Sequence, residues 1–402
     1  MKRLLTIAAV GAVFLCGFFM ANRSEAVPTF ARKYKTSCST CHYAFPRLNN
    51  FGKAFFNNGL RYPGEDKEFA KEEAVSLGSE GYKKVFPQAI WPADIPGPST
   101  ISFLWVSRMH LEPENKGHEF SFENPHELAA FMPGTIGDNI AFLFELEWEH
   151  ASEFAYGGWL DYRFTPAFHA RLGNIAYLPI HDHAALTREH FNYGDFAELD
   201  GSGLEFWGAV NGPQDKGGLL YATGVMNGQN DGLENIDLNS QKDVFGKMSY
   251  KVGGMGVLGS TTASASSAFW KDNSVTFGGF GHLGRNEDES KTRNIGGHVD
   301  FFYEDLNVFG LVMSSGEKSA TDTVWAKVTR GFAEADYVVY PWLIPLVRYE
   351  FTKPQGGDAA EQVVPAVVIM VRANVKVIPT GRIDLNGQKD RNRYNVQVAV
   401  GF

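Results

Sequence analysis

The chain has 402 residues, 44% of them hydrophobic and only 21% charged, and its formal net charge is −9. Its 43 glycines and 32 phenylalanines suit β-structure with many tight turns better than a helical enzyme. An acidic balance with no basic stripe leaves nucleic acid an unsuitable partner.

The first 26 residues read as a signal peptide. Lys2 and Arg3 give the basic start, an apolar stretch follows over 4–20, and Ser24 and Ala26 supply the small residues of a cleavage site. The apolar run is short for a retained membrane anchor, and no stop-transfer pattern follows it. Leu15 before Cys16 is too bulky for a lipobox. Cleavage removes Lys2, Arg3, Arg23 and Glu25, a net of +2, so the mature charge moves from −9 to about −11. Beyond the leader no apolar run reaches the length of a membrane helix. If the mature chain is embedded in a bilayer, it must be a barrel.

Residues 27–86 carry the clearest motif. Only Cys38 and Cys41 remain once the leader is removed, in the order Cys38-Ser39-Thr40-Cys41-His42. This C-x-x-C-H pattern is that of covalent c-type haem attachment. Two thiols on one turn reach the two vinyl groups of one porphyrin, and the next residue falls under the iron as an axial imidazole. A structural disulfide, a zinc site lacking half its ligands and a thioredoxin-like pair lacking its βαβ context are weaker readings. One haem c is therefore expected.

Pro46 is expected to open a helix with Leu48, Phe51 and Phe55 on one face, ended by Asn57-Asn58-Gly59. With Phe45, that face would pack on the haem and keep water from the iron. A second, charged helical stretch is expected over 67–84, and the proline-rich residues 87–99 read as a linker. Neither the stretch between Val27 and Cys41 nor that between His42 and Arg108 contains a methionine or another histidine. Either the iron is five-coordinate or weakly ligated, or its sixth ligand comes from beyond residue 108. Met109, His110 and Met132 are the nearest candidates.

From residue 100 to 402, short runs alternate apolar and polar residues between turn-rich loops. Ile140, Phe142, Phe144, Leu146 and Trp148 share one face, and Ala141, Leu143, Glu145, Glu147 and Glu149 share the other. Phe168, Ala170 and Leu172 alternate with His169 and Arg171. Ile295, Val299, Phe301 and Tyr303 oppose His298 and Asp300. A soluble sandwich would turn the apolar face inward, whereas an outer-membrane barrel turns it to lipid and lines its lumen with charge. The end of the chain decides: Tyr394, Val396, Val398, Val400 and Phe402 form one unbroken face with a terminal aromatic. The fold class expected is mainly β, an outer-membrane antiparallel β-barrel of about 16 strands. Boundaries in the glycine-rich stretch 210–290 are not legible from the pattern.

Two further clusters remain. His181, Asp182, His183 and His190 suit either a metal-binding loop or a solvated extracellular loop. Glu145, Glu147, Glu149, Asp161, Arg163 and Arg171 would line the lumen, where they bind a cation, hold a plug or hydrate the pore. No nucleophile–base–orienter trio stands out, so a hydrolase is disfavoured.

Residues 27–64 resemble the N-terminal segment of the fused monohaem cytochrome–porin family of bacterial outer-membrane electron carriers, which includes iron-oxidising outer-membrane cytochromes. The matching positions are Pro28, Phe30, Ala31, Arg32, Cys38, Cys41, His42, Phe45, Pro46, Leu48, Phe51, Gly52, Phe55 and Gly59. Lys53 replaces a common arginine and Leu60 a common aromatic; past this segment the likeness is one of kind, in length and alternation. The resemblance implies a small helical haem segment acting as a plug in the barrel, entered from the periplasmic side. It further implies single-electron transfer across the outer membrane between extracellular iron or another redox species and a periplasmic cytochrome or other carrier. Iron oxidation, as an Fe(II) oxidase, and outward reduction would use the same parts. Two other functions are weighed against this: a solute porin with a regulatory or structural haem segment, and a haem peroxidase-like enzyme, for which the sequence offers no distal acid–base pair.

Overall fold

The computed structural model describes residues 29–64, 66, 70, 101–112, 120–149, 153–176, 200–228, 241–259, 270–286, 289–319, 321, 324–388 and 391–401. The expected leader, the charged helical stretch apart from Ala70, the linker over 87–99 and the histidine-rich cluster over 181–190 lie outside the described residues.

The N-terminal segment comprises α1 (Thr29–Tyr34), a 3₁₀ turn (Cys38–Thr40), β1 (His42–Ala44), β2 (Arg47–Leu48) and α2 (Asn50–Asn57). Strands β1 and β2 form a small antiparallel pair of their own. Sixteen further strands follow. They are β3 (Ser102–Leu111), β4 (Phe120–Ile136), β5 (Ile140–Glu149), β6 (Glu153–Thr165), β7 (Phe168–Ala176), β8 (Asp200–Asn211), β9 (Gly218–Met226) and β10 (Asp243–Gly253). The rest are β11 (Ser274–Arg285), β12 (Lys291–Tyr303), β13 (Leu306–Lys318), β14 (Ala326–Tyr337), β15 (Leu343–Pro354), β16 (Ala360–Arg372), β17 (Val375–Asp384) and β18 (Arg393–Gly401).

Every strand from β3 to β18 pairs antiparallel with its neighbours in sequence, and β18 returns to pair with β3. The sheet has no free edge, which is the condition for a β-structure to lie in lipid. Tyr394, Val396, Val398 and Val400 stand on one face of β18, as the alternation predicted, opposite Leu111, Met109, Ser107 and Trp105 of β3.

Side-chain parity sets what faces where. Phe144, Trp148, Phe168, Leu172, Ile295, Val299, Phe301 and Tyr303 are exposed, while Ala141, His169 and Asp300 on the intervening positions are buried. Apolar residues thus face out and polar ones face in, the outer-membrane arrangement. In the glycine-rich region the structure supplies the bounds that the pattern left open, those of β9, β10 and β11.

The two ends of the barrel differ. Connections 137–139, 166–167, 304–305 and 373–374 are short and share the end where β3 begins and β18 finishes. At the other end, connections 177–199 and 227–242 are long. One long connection, 254–273, belongs to the short-turn end, and it meets the N-terminal segment there.

Candidate functional site

The C-x-x-C-H turn is built locally around Asn49. Asn49 caps α2: its Oδ1 accepts from the Gly52 N–H at 2.8 Å. Its Nδ2 donates to the carbonyl oxygens of Ser39 and Thr40, each at 3.1 Å, and its own N–H donates to Cys41 O at 2.9 Å. One buried side chain therefore clamps the cysteine turn onto the helix start. Gly52 permits the approach, because a Cβ there would fall 2.0 Å from Cys41 O. This cap also corrects the predicted helix start: α2 begins at Asn50, and Leu48 lies on β2 rather than on the helix. The end at Asn57-Asn58-Gly59 is as predicted, with Asn58 the C-cap and Gly59 at φ +68°.

Cys38 and Cys41 form no disulfide. Burial pushes both thiols up, Cys41 to about 12 with Cys38 adding to the effect. As free thiols they stay protonated at neutral pH, unlike a reactive redox pair with its depressed pKa. His42 Nδ1 lies 3.0 Å from Pro46 O. A hydrogen bond to that carbonyl places the ring proton on Nδ1 and the lone pair on Nε2, the orientation that metal-binding imidazoles use.

A cavity of about 220 Å³ adjoins His42. Ser39, Ala44 and Phe45 of the segment line it, together with Trp342, Met370 and Arg372 at the short-turn end of the barrel wall. Cys38 and Cys41, each one residue from Ser39 or His42, are not themselves in the wall. The donor set fits a c-type haem: two thiols spaced on one turn, an oriented imidazole, apolar surface from Phe45 and Trp342, and a guanidinium at Arg372 for propionate.

The other residues expected on the haem are distributed differently. Phe55 is buried with Tyr34, Leu60 and Ala141, its ring edge-on to Phe30 at 4.9 Å and Tyr34 at 5.7 Å. Phe51 packs edge-on to Tyr62 at 5.1 Å, and Tyr62 is near enough to Cys41 for a thiolate there to raise its pKa, after burial itself. Leu48 lines a larger cavity on the lumen side. Of the four, only Phe45 shares a cavity with His42.

The register does not bring Met109, His110 or Met132 to His42. Met109 stands opposite Phe122 and Val396, and Met132 opposite the exposed Phe144, so both belong to the outward face. His110 faces inward but lies near the far end of β3, with Nε2 at 2.9 Å from Glu123. Proximity in sequence misled here, because adjacent strand residues alternate between lipid and lumen.

The segment is fastened to the barrel by polar contacts that the sequence did not reveal. Arg47 is fully buried; Nη1 donates to Asp336 Oδ2 at 2.8 Å, and Nη2 donates to Asn307 Oδ1. Tyr43 Oη donates to the same Asp336 at 2.5 Å, and the Arg47 guanidinium lies 4.7 Å from the Tyr43 ring. Behind them Arg348 pairs with Glu334 and Glu350. A second set holds α2 and the residues on either side of it. Asn57 Nδ2 donates to Val257 O at 2.8 Å and Asn58 Nδ2 to Leu258 O at 2.9 Å. Arg61 donates to Gly137 O and Ile140 O at 2.9 and 3.0 Å. Thr29 N–H donates to Ser102 Oγ at 2.9 Å. Asn307 and Asp336, each one residue from its strand's end, lie at the short-turn end as well, as do the partners of the second set.

The lumen charges sort accordingly. Arg163 reaches Asn58 O at 3.4 Å, so it meets the segment. Asp161 is buried and accepts from Trp207 Nε1 at 2.6 Å, beside His169 at 2.8 Å. Arg171 donates to Glu205 at 2.9 Å and lies over Phe56, Trp159 and Trp207. Glu145 lines the lumen cavity of about 650 Å³ with Lys53, Lys247 and His298. Among the described residues no group of three or more His, Cys, Asp or Glu side chains is placed to hold a metal ion.

Taken together, a closed sixteen-stranded antiparallel barrel with lipid-type and lumen-type faces defines the class: a porin-like outer-membrane β-barrel. Solved structures agree at the level of fold. The anion-selective porin of Comamonas acidovorans superposes with a TM-score of 0.53 at 11% identity, covering 75% of this chain and 99% of that one. OmpF of Salmonella typhi, in complex with daunomycin, gives 0.51 at 12% identity, covering 77% and 98%. A loop-deletion mutant of OmpT from Vibrio cholerae gives 0.50 at 9% identity, covering 75% and 98%. No protein-family model and no curated protein matches the sequence.

Proposed function

We propose that this chain is an outer-membrane haem c protein that passes single electrons between an extracellular redox species, iron foremost, and a periplasmic carrier. The observation that supports it is the juxtaposition at one mouth of a closed barrel: the C-x-x-C-H turn, its oriented imidazole and the adjoining cavity, all on a segment fastened by buried charges. Short turns mark the periplasmic end of such barrels, so His42 belongs to the periplasmic mouth and the segment acts as a plug there. Held by Cys38, Cys41 and His42, a haem would supply one-electron ferrous–ferric chemistry.

The protein's own residues do the rest. Asn49 and Gly52 hold the cysteine turn rigid against α2, Pro46 fixes the ring of His42, and Phe45 with Trp342 limits water at the cavity. The membrane's apolar band is about 25 Å tall. A haem held beside His42 would be open to a periplasmic partner at this mouth, and the lumen cavity lined by Glu145, Lys247 and His298 would admit the extracellular species from the other side.

A solute porin is the second reading, and the solved neighbours, an anion-selective porin among them, favour it more directly than electron transfer. Against it stands the segment in the short-turn mouth. A peroxidase-like enzyme gains nothing from the cavity beside His42, whose wall offers no carboxylate and no second imidazole among the described residues.

The deciding experiment is the pyridine haemochrome of the purified protein, followed by stopped-flow mixing with ferrous iron and liposome swelling with small sugars. Electron transfer predicts one haem c per chain, lost in Cys38→Ala/Cys41→Ala, rapid change of its spectrum with the redox partner, and no swelling. A colourless protein that passes sugars establishes the solute porin and ends the electron-transfer reading.

A further inference from the structure

We propose that Met370 is the second axial ligand of the haem iron, so that the iron is held between His42 of the N-terminal segment and a thioether of the barrel wall. This rests on the haem reading above.

The argument begins with parity. On β16, Gln362, Val364, Ala366 and Val368 are buried and face the lumen. Met370 is the next residue in that series, and its cross-strand partner is Lys376, itself buried. Its backbone is pinned, since its N–H donates to Trp342 O at 2.8 Å. Its side chain packs against two apolar clusters at once, the one holding Tyr43 and Ala44 and the one holding Phe45. Those three residues directly follow His42, so Met370 sits beside the stretch that presents the imidazole. His42 and Met370 line the same cavity of about 220 Å³, one from the segment and one from the wall.

The chemistry of the lining then selects it. Tyr43 has committed its hydroxyl to Asp336 at 2.5 Å, and Ser39 donates its own to Ser37 at 3.0 Å. Arg372 offers a cation, and Trp342 only an N–H. Among the described residues of this wall, Met370 is the one besides His42 with a soft lone pair suited to haem iron. A methionine that merely filled a gap would need neither the lumen-facing position nor the shared cavity with an oriented imidazole.

Thioether ligation raises the reduction potential relative to bis-imidazole ligation, and a filled sixth position closes the iron to peroxide and oxygen. The ligand pair also ties the segment to the barrel through the metal, a cross-link between residues 42 and 370.

The test uses the full-length protein matured with haem c. Ferric protein is examined for the weak sulfur-to-iron charge-transfer band at the red end of the spectrum, by absorption and near-infrared magnetic circular dichroism. The band is expected in the wild type and in Met109→Leu and Met132→Leu, and expected to vanish in Met370→Leu with conversion to a high-spin or water-ligated iron. Met370→His is expected to retain a low-spin spectrum of bis-imidazole type at a lower potential. This variant keeps the test open if the leucine variant fails to assemble. Haem-loaded wild type without the band, or a band that persists in Met370→Leu, overturns the assignment. Absence of haem c from the pyridine haemochrome overturns the underlying reading instead, so the two failures are told apart.

Discussion

Arg47→Met isolates the contact that fastens the segment to the barrel. The guanidinium is fully buried, donates to Asp336 at 2.8 Å and to Asn307, and lies 3.9 Å from Glu334. Methionine keeps most of the volume and removes the charge, leaving Asp336 buried with only Tyr43 Oη on it. Removing one partner of a buried ion pair costs about 3–5 kcal/mol. Glu334 retains Arg348 at 2.5 Å and adds little to that cost. Each 1.4 kcal/mol is tenfold in an equilibrium, so release of the segment becomes about 10²- to 4 × 10³-fold more frequent. Native-state hydrogen exchange of the amides of β1 and β2, read by mass spectrometry in detergent, reports that release. Exchange there is expected to accelerate by this factor while the barrel strands keep their protection. The double variant Arg47→Met/Asp336→Asn leaves no bare charge and is expected to recover most of the loss. Unchanged exchange in the single variant, with the barrel intact, would refute the claim that this pair holds the segment. So would a double variant worse than the sum of its parts.

Three further outcomes are expected. Asn49→Ala removes a helix cap, worth about 1 kcal/mol, and two bonds to turn carbonyls; the segment should lose about 2–3 kcal/mol, seen as faster exchange and a lower haem c yield. Gly52→Ala drives a Cβ to 2.0 Å from Cys41 O, and overpacking of about 1–3 kcal/mol should part α2 from the cysteine turn; normal haem yield and exchange in this variant would contradict the close approach. Burial, then Asp66, raises the pKa of Tyr34 far above its ordinary value. The folded segment therefore keeps that proton after the released chain has lost it, and above about pH 10 its stability should fall by about 1.4 kcal/mol per pH unit from this group. Exchange measured from pH 9 to 11, wild type against Tyr34→Phe, checks the sign: the phenylalanine variant should show less of the alkaline weakening.

The barrel was legible because lipid and lumen impose opposite chemistry on alternate residues of every strand. Ile295, Val299 and Phe301 against His298 and Asp300 already state which face is which, and Tyr394 to Val400 mark the closing strand. The cysteine turn was legible because its chemistry is local. The features that stayed hidden depend on pairing over long separations. Arg47 and Asp336 lie 289 residues apart, and nothing near either one announces the other. Met370 reads as one more apolar residue until the register shows that it faces inward and ends at the mouth. Met109 and Met132 looked nearer only because distance along the chain is a poor guide to place in a closed sheet. The helix start was misplaced for a smaller reason: Pro46 is compatible with a first turn, but the Asn49 side chain reaches Gly52 N–H and sets the start four residues later, at Asn50.

The contacts of Arg47 with β13 and β14 carry a consequence for biogenesis. Its acceptors, Asn307 and Asp336, belong to the last third of the polypeptide, whereas the cysteines lie near its beginning. The anchoring pocket does not exist until that late portion has folded, so the N-terminal segment can take its seat only after β13 and β14 have paired.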